Sequence, residues 1–424
     1  MRRTLSMLTT LAVAAGLLTG CSASSDSPKA SEEYDLTFWV YSDFVQGDAG
    51  ALLKKSIAEF KTEHTNVKSI TLVPKNDADL LSGLMSGVGL PDMFSASARD
   101  ALKYRQAVGL LDLAPTFASD KEFASGFYPD ATKAITTDDG VWAIPFISYI
   151  PVIYRNLTVL KKSGVDPADG IATYDTFLEQ LAKVKASGVD ATHSWTNNGY
   201  FAPGSVMASD AERLTVGVKD RKTTVKPEQL VRTFETVSAI EKFANKSMTN
   251  EADVTMEAFK TNKLGYLLGG PWIEPAIAQS GVSFDYVLVP PYKEGGWTGG
   301  LQGWDFLYGV KSDDDTRNKL VAAWLKKLGS YEGEKAWTLK VGRSTLRQDV
   351  MGDPEVVKSS EMAKISSKGL KNGMLQMDFG HSSVFWPSAI GDTATRLGTG
   401  AITPAEAADQ FVKDINSRYA EAGE

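Results

Sequence analysis

Apolar positions along the chain switch repeatedly between two periods. Leu36-Thr37-Phe38-Trp39-Val40-Tyr41 is a short run rich in aromatic and β-branched residues, the composition of a strand. Leu53, Ile57 and Phe60 then recur at i, i+4 and i+7, predicting a helix with one buried face, and Val67, Ile70 and Val73 mark a second strand. A further amphipathic segment near Leu80 to Met85 runs into Gly89-Leu90-Pro91-Asp92, where the proline stops the helix and Met93-Phe94 opens a buried strand. Val141 to Phe146 and Val152 to Tyr154 read as strands around a loop, and Leu264 to Leu268 as another. Phe177, Leu181 and Val184 share one helix face, as do Leu230, Phe234, Val237 and Ile240. Thr403-Pro404-Ala405-Glu406 is a capping box with proline at the first helical position, followed by the stripe Ala408, Phe411, Ile415 and Tyr419. This alternation predicts α/β lobes with mainly parallel sheets.

The first residues follow a different logic. Met1-Arg2-Arg3 is basic, and Leu5 to Leu18 carries no charge and is too short to span a bilayer, so residues 1–20 read as a secretory leader. Leu18-Thr19-Gly20-Cys21 resembles a bacterial lipobox, which implies cleavage before Cys21 and a diacylglycerol on its sulfur. The alternative is a plain signal peptide with a chance cysteine at its end. Residues 21–33 are small and polar and read as the lipidated Cys21 with a flexible tether. The expected location is outside the cell, anchored by lipid to the outer face of the cytoplasmic membrane. No other run approaches a membrane-spanning length, and no repeat of 20–50 residues occurs.

A chain of 424 residues is too long for one small module, and 43% apolar with 23% charged residues describes a folded, soluble body. Lys and Arg number 45 against 52 Asp and Glu, a net charge of −7 that repels phosphate backbones and argues against nucleic acid as a partner. A single cysteine excludes an internal disulfide, a cysteine zinc cage and a CxxC pair. His64, His193 and His381 have no metal-ligand spacing, and neither a phosphate-binding loop nor a Gly-x-Ser-x-Gly elbow is present. Gly87-Val88-Gly89 lacks the third glycine of a dinucleotide fingerprint. Asp313-Asp314-Asp315 precedes the Asn318 to Leu328 helix and reads as its N-terminal cap rather than a calcium loop. No cofactor and no metal is expected.

Seven short motifs follow one another in a recognisable order: Leu36 to Tyr41, Pro91-Asp92-Met93-Phe94, Gly109-Leu110-Leu111-Asp112-Leu113, Trp142-Ala143-Ile144-Pro145, Ile153-Tyr154-Arg155-Asn156, Thr173-Tyr174-Asp175-Thr176-Phe177 and Gly269-Gly270-Pro271-Trp272. Over nearly the whole mature chain this resembles the extracellular solute-binding proteins of family 1, the sugar-binding components of ABC importers, and is similar to maltose-binding proteins. The resemblance implies two doubly wound α/β lobes of type II, joined by a hinge, with an oligosaccharide held between them and passed to permease subunits. It implies a binding protein rather than an enzyme, acting as a monomer. The lobes are expected at 34–147 plus 303–342 and at 148–302 plus 343–424.

The same resemblance supplies ligand-binding candidates. Trp272 in Gly-Pro-Trp and Trp386 in Val384-Phe385-Trp386 match aromatics that stack on sugar rings; a flat ring suits the C–H face of a pyranose, while amides and carboxylates suit its hydroxyls. Each tryptophan alternatively belongs to a core. Tyr41 and Asp43 follow the first strand at the end where open α/β sheets bind ligands, Asp43 alternatively capping the next helix. Ser97 and Arg99 lie where relatives carry a tryptophan and an acid, so the aromatic there is replaced by small residues. Tyr149 lies in a loop that contacts ligand or packs at a lobe crossing. Trp195, Asn197 and Asn198 place an aromatic beside two amides, and Trp304 with Asp305 follows a glycine-rich stretch suited to a hinge. Trp142, Trp324 and Trp337 are expected in cores. Other readings are a receptor for a different small solute, a secreted carbohydrate-active enzyme and a lectin.

Overall fold

A computed structural model describes residues 33–199, 201–210, 218–219, 222–249, 253–298, 300–301, 303–370 and 381–421, and the side chains of 218–219 and 381–387 lie outside the description. The leader, Cys21 and the tether up to residue 32 also lie outside it. Ten strands build two five-stranded sheets: β1 (Tyr34–Tyr41), β2 (Val67–Lys75), β3 (Met93–Ser97), β4 (Ile144–Tyr149), β5 (Val152–Asn156), β6 (Asp190–His193), β7 (Ala244–Asn245), β8 (Leu264–Gly269), β9 (Phe284–Leu288) and β10 (Gly303–Gly309). The first sheet has the order β2-β1-β3-β10-β4 and the second β7-β6-β8-β5-β9. Each carries its own core of apolar side chains, with helices packed over it.

The expected parallel sheets are in fact mixed. β1 runs parallel to β2 and β3, and β6 parallel to β7 and β8, but β10 is antiparallel to both its neighbours and so is β5. The reason lies in the crossings. The chain leaves β4 for the second lobe as β5 and returns from β9 as β10. A strand arriving from the other lobe enters its sheet at the end facing that lobe, where its neighbours finish, and must run against them. The parallel neighbours therefore end, and the crossing strands begin, along the cleft between the lobes.

In the first lobe Trp324 is fully buried, edge-on to Phe38 (ring centroids 6.4 Å) and to Phe60 (5.2 Å). Trp337 is buried too, whereas Trp142 is only half-buried: its Nε1 donates to Thr137 Oγ1 (2.6 Å) and the Arg105 guanidinium lies over its ring. The Pro91-Asp92 turn is tied to β1, because the Asp92 carboxylate accepts from Thr37 N (2.7 Å) and from Arg317 (2.6 Å). Asp314 caps the helix Asp315–Leu328 by accepting from the Thr316 and Arg317 amides, and Thr403 with Glu406 forms the capping box of Pro404–Glu421. Residues 344–346 hydrogen-bond along the outer edge of β4, with Ser148 N to Ser344 O and Leu346 N to Phe146 O at 3.0 Å each, and Leu346 joins the first core. The first lobe thus runs past residue 342, where the sequence pattern ended it. Trp324→Ala is expected to cost about 3–5 kcal/mol, as truncation of a buried indole does, read as a lowered urea midpoint.

Candidate functional site

Four elements of the first lobe bring side chains to the cleft. Tyr149 ends β4 and is paired in register with Gly303, the first residue of β10. The tyrosine ring lies across that glycine, so closely that a Cβ at position 303 would sit 2.0 Å from Tyr149 Cε2. Two residues further along β10, the Asp305 carboxylate accepts the Tyr149 hydroxyl. Asp305 is 1% exposed, and burial pushes its carboxyl up to about 7, the Tyr149 hydrogen bond pulling the other way. Ser97 stands opposite Asp305 in the β3–β10 ladder and is buried, its Oγ accepting from Arg99 N (3.3 Å).

The rim around this pair consists of engaged charges. Tyr41 OH donates to Asp77 (2.8 Å), and Arg99 reaches Asp77 at 3.7 Å and Asp100 at 3.3 Å. Lys103 also holds Asp100 (2.7 Å), and Arg343 pairs with the exposed Asp43. Asp43 is therefore held in an ion pair, and the N-cap of the next helix is Gln46 instead. The turn carrying Arg99 abuts the helix His381–Gly398 of the second lobe. Trp386 lies on that helix, its side chain outside the described residues.

From the second lobe comes Trp272, 42% exposed and one of the few large apolar side chains left so open among the described residues. Its ring meets that of Tyr149 edge-on (centroids 5.5 Å, 88°) and that of Phe201 at 6.0 Å. It folds back over Gly270, where a Cβ would lie 2.0 Å from Cζ3, and Tyr154 OH holds the Gly270 carbonyl at 2.9 Å. Glycine at 270 is thus what lets the indole lie where it does.

Two candidates do not reach the cleft. Trp195 is fully buried in the second core, its Nε1 donating to Thr192 Oγ1 (3.1 Å) and its ring 5.8 Å from Phe177. Trp304 is 1% exposed in the first core, on the side of β10 opposite Asp305, because successive strand residues point to opposite faces. Asn198 is spent on the protein itself, its amide donating to Thr249 O (3.2 Å) and its oxygen accepting from Ala202 N (3.0 Å). Asn197 is exposed at the tip of the same loop.

That loop is held by two buried groups that no sequence pattern announced. The Glu241 carboxylate accepts from Ser194 Oγ (2.8 Å), Trp195 N (2.8 Å) and Thr196 N (3.2 Å). The His193 ring bridges Ser194 O (3.0 Å) and Leu268 N (3.1 Å), filling the gap where β6 parts from β8 just before Gly270 and Trp272. Burial depresses His193 to about 4, and the Leu268 bond requires a neutral Nε2 acceptor. Asp77, Arg343 and Phe201 also escaped the sequence reading, since each acquires its meaning from a partner distant in the chain. Among the described residues no group of three His, Cys, Asp or Glu side chains is arranged to hold a metal.

Two lobes, crossing strands and an open indole between them define a binding protein of the two-lobed kind. The chain belongs to the bacterial extracellular solute-binding protein family, whose model matches residues 55–364; its members are binding proteins of transporters, not enzymes. It is 26% identical over 215 residues to the arabinooligosaccharide-binding protein of Bacillus subtilis (strain 168), covering 46% of this chain and 47% of that one. The chain therefore spans about half the length of that relative. Among solved structures, the cyclic alpha-maltosyl-1,6-maltose binding protein from Arthrobacter globiformis superposes with a TM-score of 0.78 at 13% identity, over 92% of this chain and 100% of that one. The GacH receptor of Streptomyces glaucescens GLA.O gives 0.73 at 18%, over 91% and 98%. At these identities the likeness is one of fold.

His193 and Asp305 pull stability in opposite directions across one pH window. His193 falls from an ordinary 6.5 to about 4 on folding, so the stability it contributes is present above 6.5 and lost as pH drops towards 4. Asp305 rises from 3.8 to about 7, so its contribution is present below 3.8 and lost as pH climbs towards 7. In urea unfolding from pH 4 to 7, His193→Gln is expected to tilt the stability profile downward with rising pH relative to the parent chain, and Asp305→Asn to tilt it upward. Parallel profiles for all three would contradict both assignments.

Proposed function

We propose that this chain captures a neutral oligosaccharide between its lobes and delivers it to the permease of an ABC importer. The observation that carries the reading is Trp272: an indole left 42% open at the meeting of the two lobes, edge-on to a tyrosine that is itself hydrogen-bonded to a buried carboxylate. A pyranose ring lies flat on such an indole, and its hydroxyls find donors and acceptors in Tyr149, Tyr41 and Arg99. The first-lobe carboxylates nearby are engaged by Tyr149, Tyr41, Arg99, Lys103 and Arg343, as suits a binding surface. A relative named for arabinooligosaccharide, a fold neighbour named for cyclic alpha-maltosyl-1,6-maltose and another solved in complex with acarbose support the ligand class.

A ligand touching both lobes favours the closed arrangement by its differential affinity for it, and no bond is made or broken. The Leu18-Thr19-Gly20-Cys21 motif supports export and a lipid anchor on Cys21, which keeps the receptor beside its permease on the outer face of the cytoplasmic membrane. Among the described residues no helix is long and apolar enough to cross a membrane.

Calorimetric titration with a panel of di- to tetrasaccharides tests the reading, a dissociation constant of order micromolar corresponding to about −8 kcal/mol. Trp272→Ala is expected to weaken binding about 30-fold, the effect of removing a 2 kcal/mol anchor, with little change in the unfolding midpoint. Silence across the sugar panel, with heat from another solute, would replace the ligand class and leave the receptor.

A further inference from the structure

The Asp305 carboxyl lies behind the cleft wall, 1% exposed, and is linked to the cleft through a neighbour. Its Oδ1 accepts the hydroxyl of Tyr149, the last residue of β4, whose ring stands edge-on to the Trp272 indole of the other lobe at 5.5 Å. The tyrosine is fixed in place by its pairing with Gly303, over which its ring lies. One line of contact thus runs from a buried acid to the indole that meets the other lobe. Charged and titratable groups stand around the acid on every side: Tyr41 at the end of β1, Asp43 just beyond it, Asp77 at the start of the helix Asp77–Ser86, the Arg99–Asp100 pair past β3, Arg343, and Tyr308 further along β10. Burial raises the Asp305 carboxyl to about 7; the Tyr149 bond and Arg343 oppose the rise, and Asp77 and Asp43 add to it.

An ionised carboxylate only accepts hydrogen bonds, so beside it Tyr149 must spend its single proton inward. A protonated acid donates to the tyrosine oxygen instead, and the phenolic proton can then turn to the cleft. We propose that Asp305 is a positioning residue: its proton state decides whether Tyr149 offers the ligand a donor or an acceptor, and so links capture to pH. This coupling rests on the sugar ligand proposed for the cleft. A sugar carries more acceptors than donors, because each hydroxyl brings one proton and two lone pairs while ring and bridging oxygens bring lone pairs alone. A donating Tyr149 therefore serves it better, and the protonated form of Asp305 is the tight-binding one. Bound ligand raises the acid's proton affinity further, so the gain is present below 7 and lost as pH climbs through it.

Calorimetric titration with maltotriose and arabinotriose between about pH 5.5 and about pH 8.5, in two buffers of different ionisation enthalpy, reads affinity and proton uptake together. Binding is expected to be about fivefold weaker at the alkaline end, the contribution of one neutral hydrogen bond, with net proton uptake near pH 7. His193 adds nothing to this slope, since burial depresses it to about 4. Asp305→Asn, whose amide donates to Tyr149 at any pH, is expected to give a flat profile and no uptake. Tyr149→Phe keeps the ring beside Trp272 and is expected to bind about fivefold more weakly than the parent at the acid end, again without slope. A flat parent profile, or a slope that survives in either variant, overturns the coupling and leaves the sugar ligand standing. Silence of both sugars at every pH overturns the sugar ligand and the coupling with it.

Discussion

A polypeptide that passes back and forth between two sheets must enter each of them from the side of the other. That constraint makes β5 and β10 run against their neighbours, and it places the start of each at the cleft, where the parallel strands finish. Everything the site uses follows from it. Tyr149 ends the last strand before one crossing and Gly303 begins the first strand after another, and their pairing brings a ring, a backbone and the Asp305 carboxylate together at the junction. The site is built where the lobes join because that is where the strand ends are.

Buried polar groups set the shape of both cleft faces. On the second lobe, Glu241 and His193 satisfy the backbone groups left over where β6 separates from β8, and so hold the loop that carries Asn197 and the approach to Trp272. A buried polar group that lost its partner would cost about 1–3 kcal/mol, so these loops have little freedom to rearrange. On the first lobe, burial raises the Asp305 carboxyl to about 7, outweighing the hydrogen bond it accepts from Tyr149.

Features carried within a dozen residues were legible in advance. The helix stripe Ala408, Phe411, Ile415 and Tyr419 is buried as its spacing required, the Thr403–Glu406 box caps that helix, and Asp314 caps the helix that follows it. Trp272 was singled out by Gly-Pro-Trp, and the structure finds it open; Trp324 and Trp337 are core as their stripes suggested. The reading failed where an aromatic was judged by its neighbours in sequence. Trp195 next to two asparagines and Trp304 next to an aspartate both looked like cleft residues, and both are buried, because strand alternation and loop capping turned them inward while their polar neighbours turned elsewhere.

The sequence by itself determined the alternation of strands and helices, the caps, the acidic surface and the order of motifs that marks the family, all of which depend on side chains a few positions apart. Only the tertiary structure decided the direction of β5 and β10, the burial of Trp195 and Trp304, and the partnership of Tyr149 with Asp305 across 156 positions. The physical reason is one of range: periodicity and capping are settled within a turn or two of backbone, whereas which faces become a cleft is settled by the crossings that bring remote strand ends side by side.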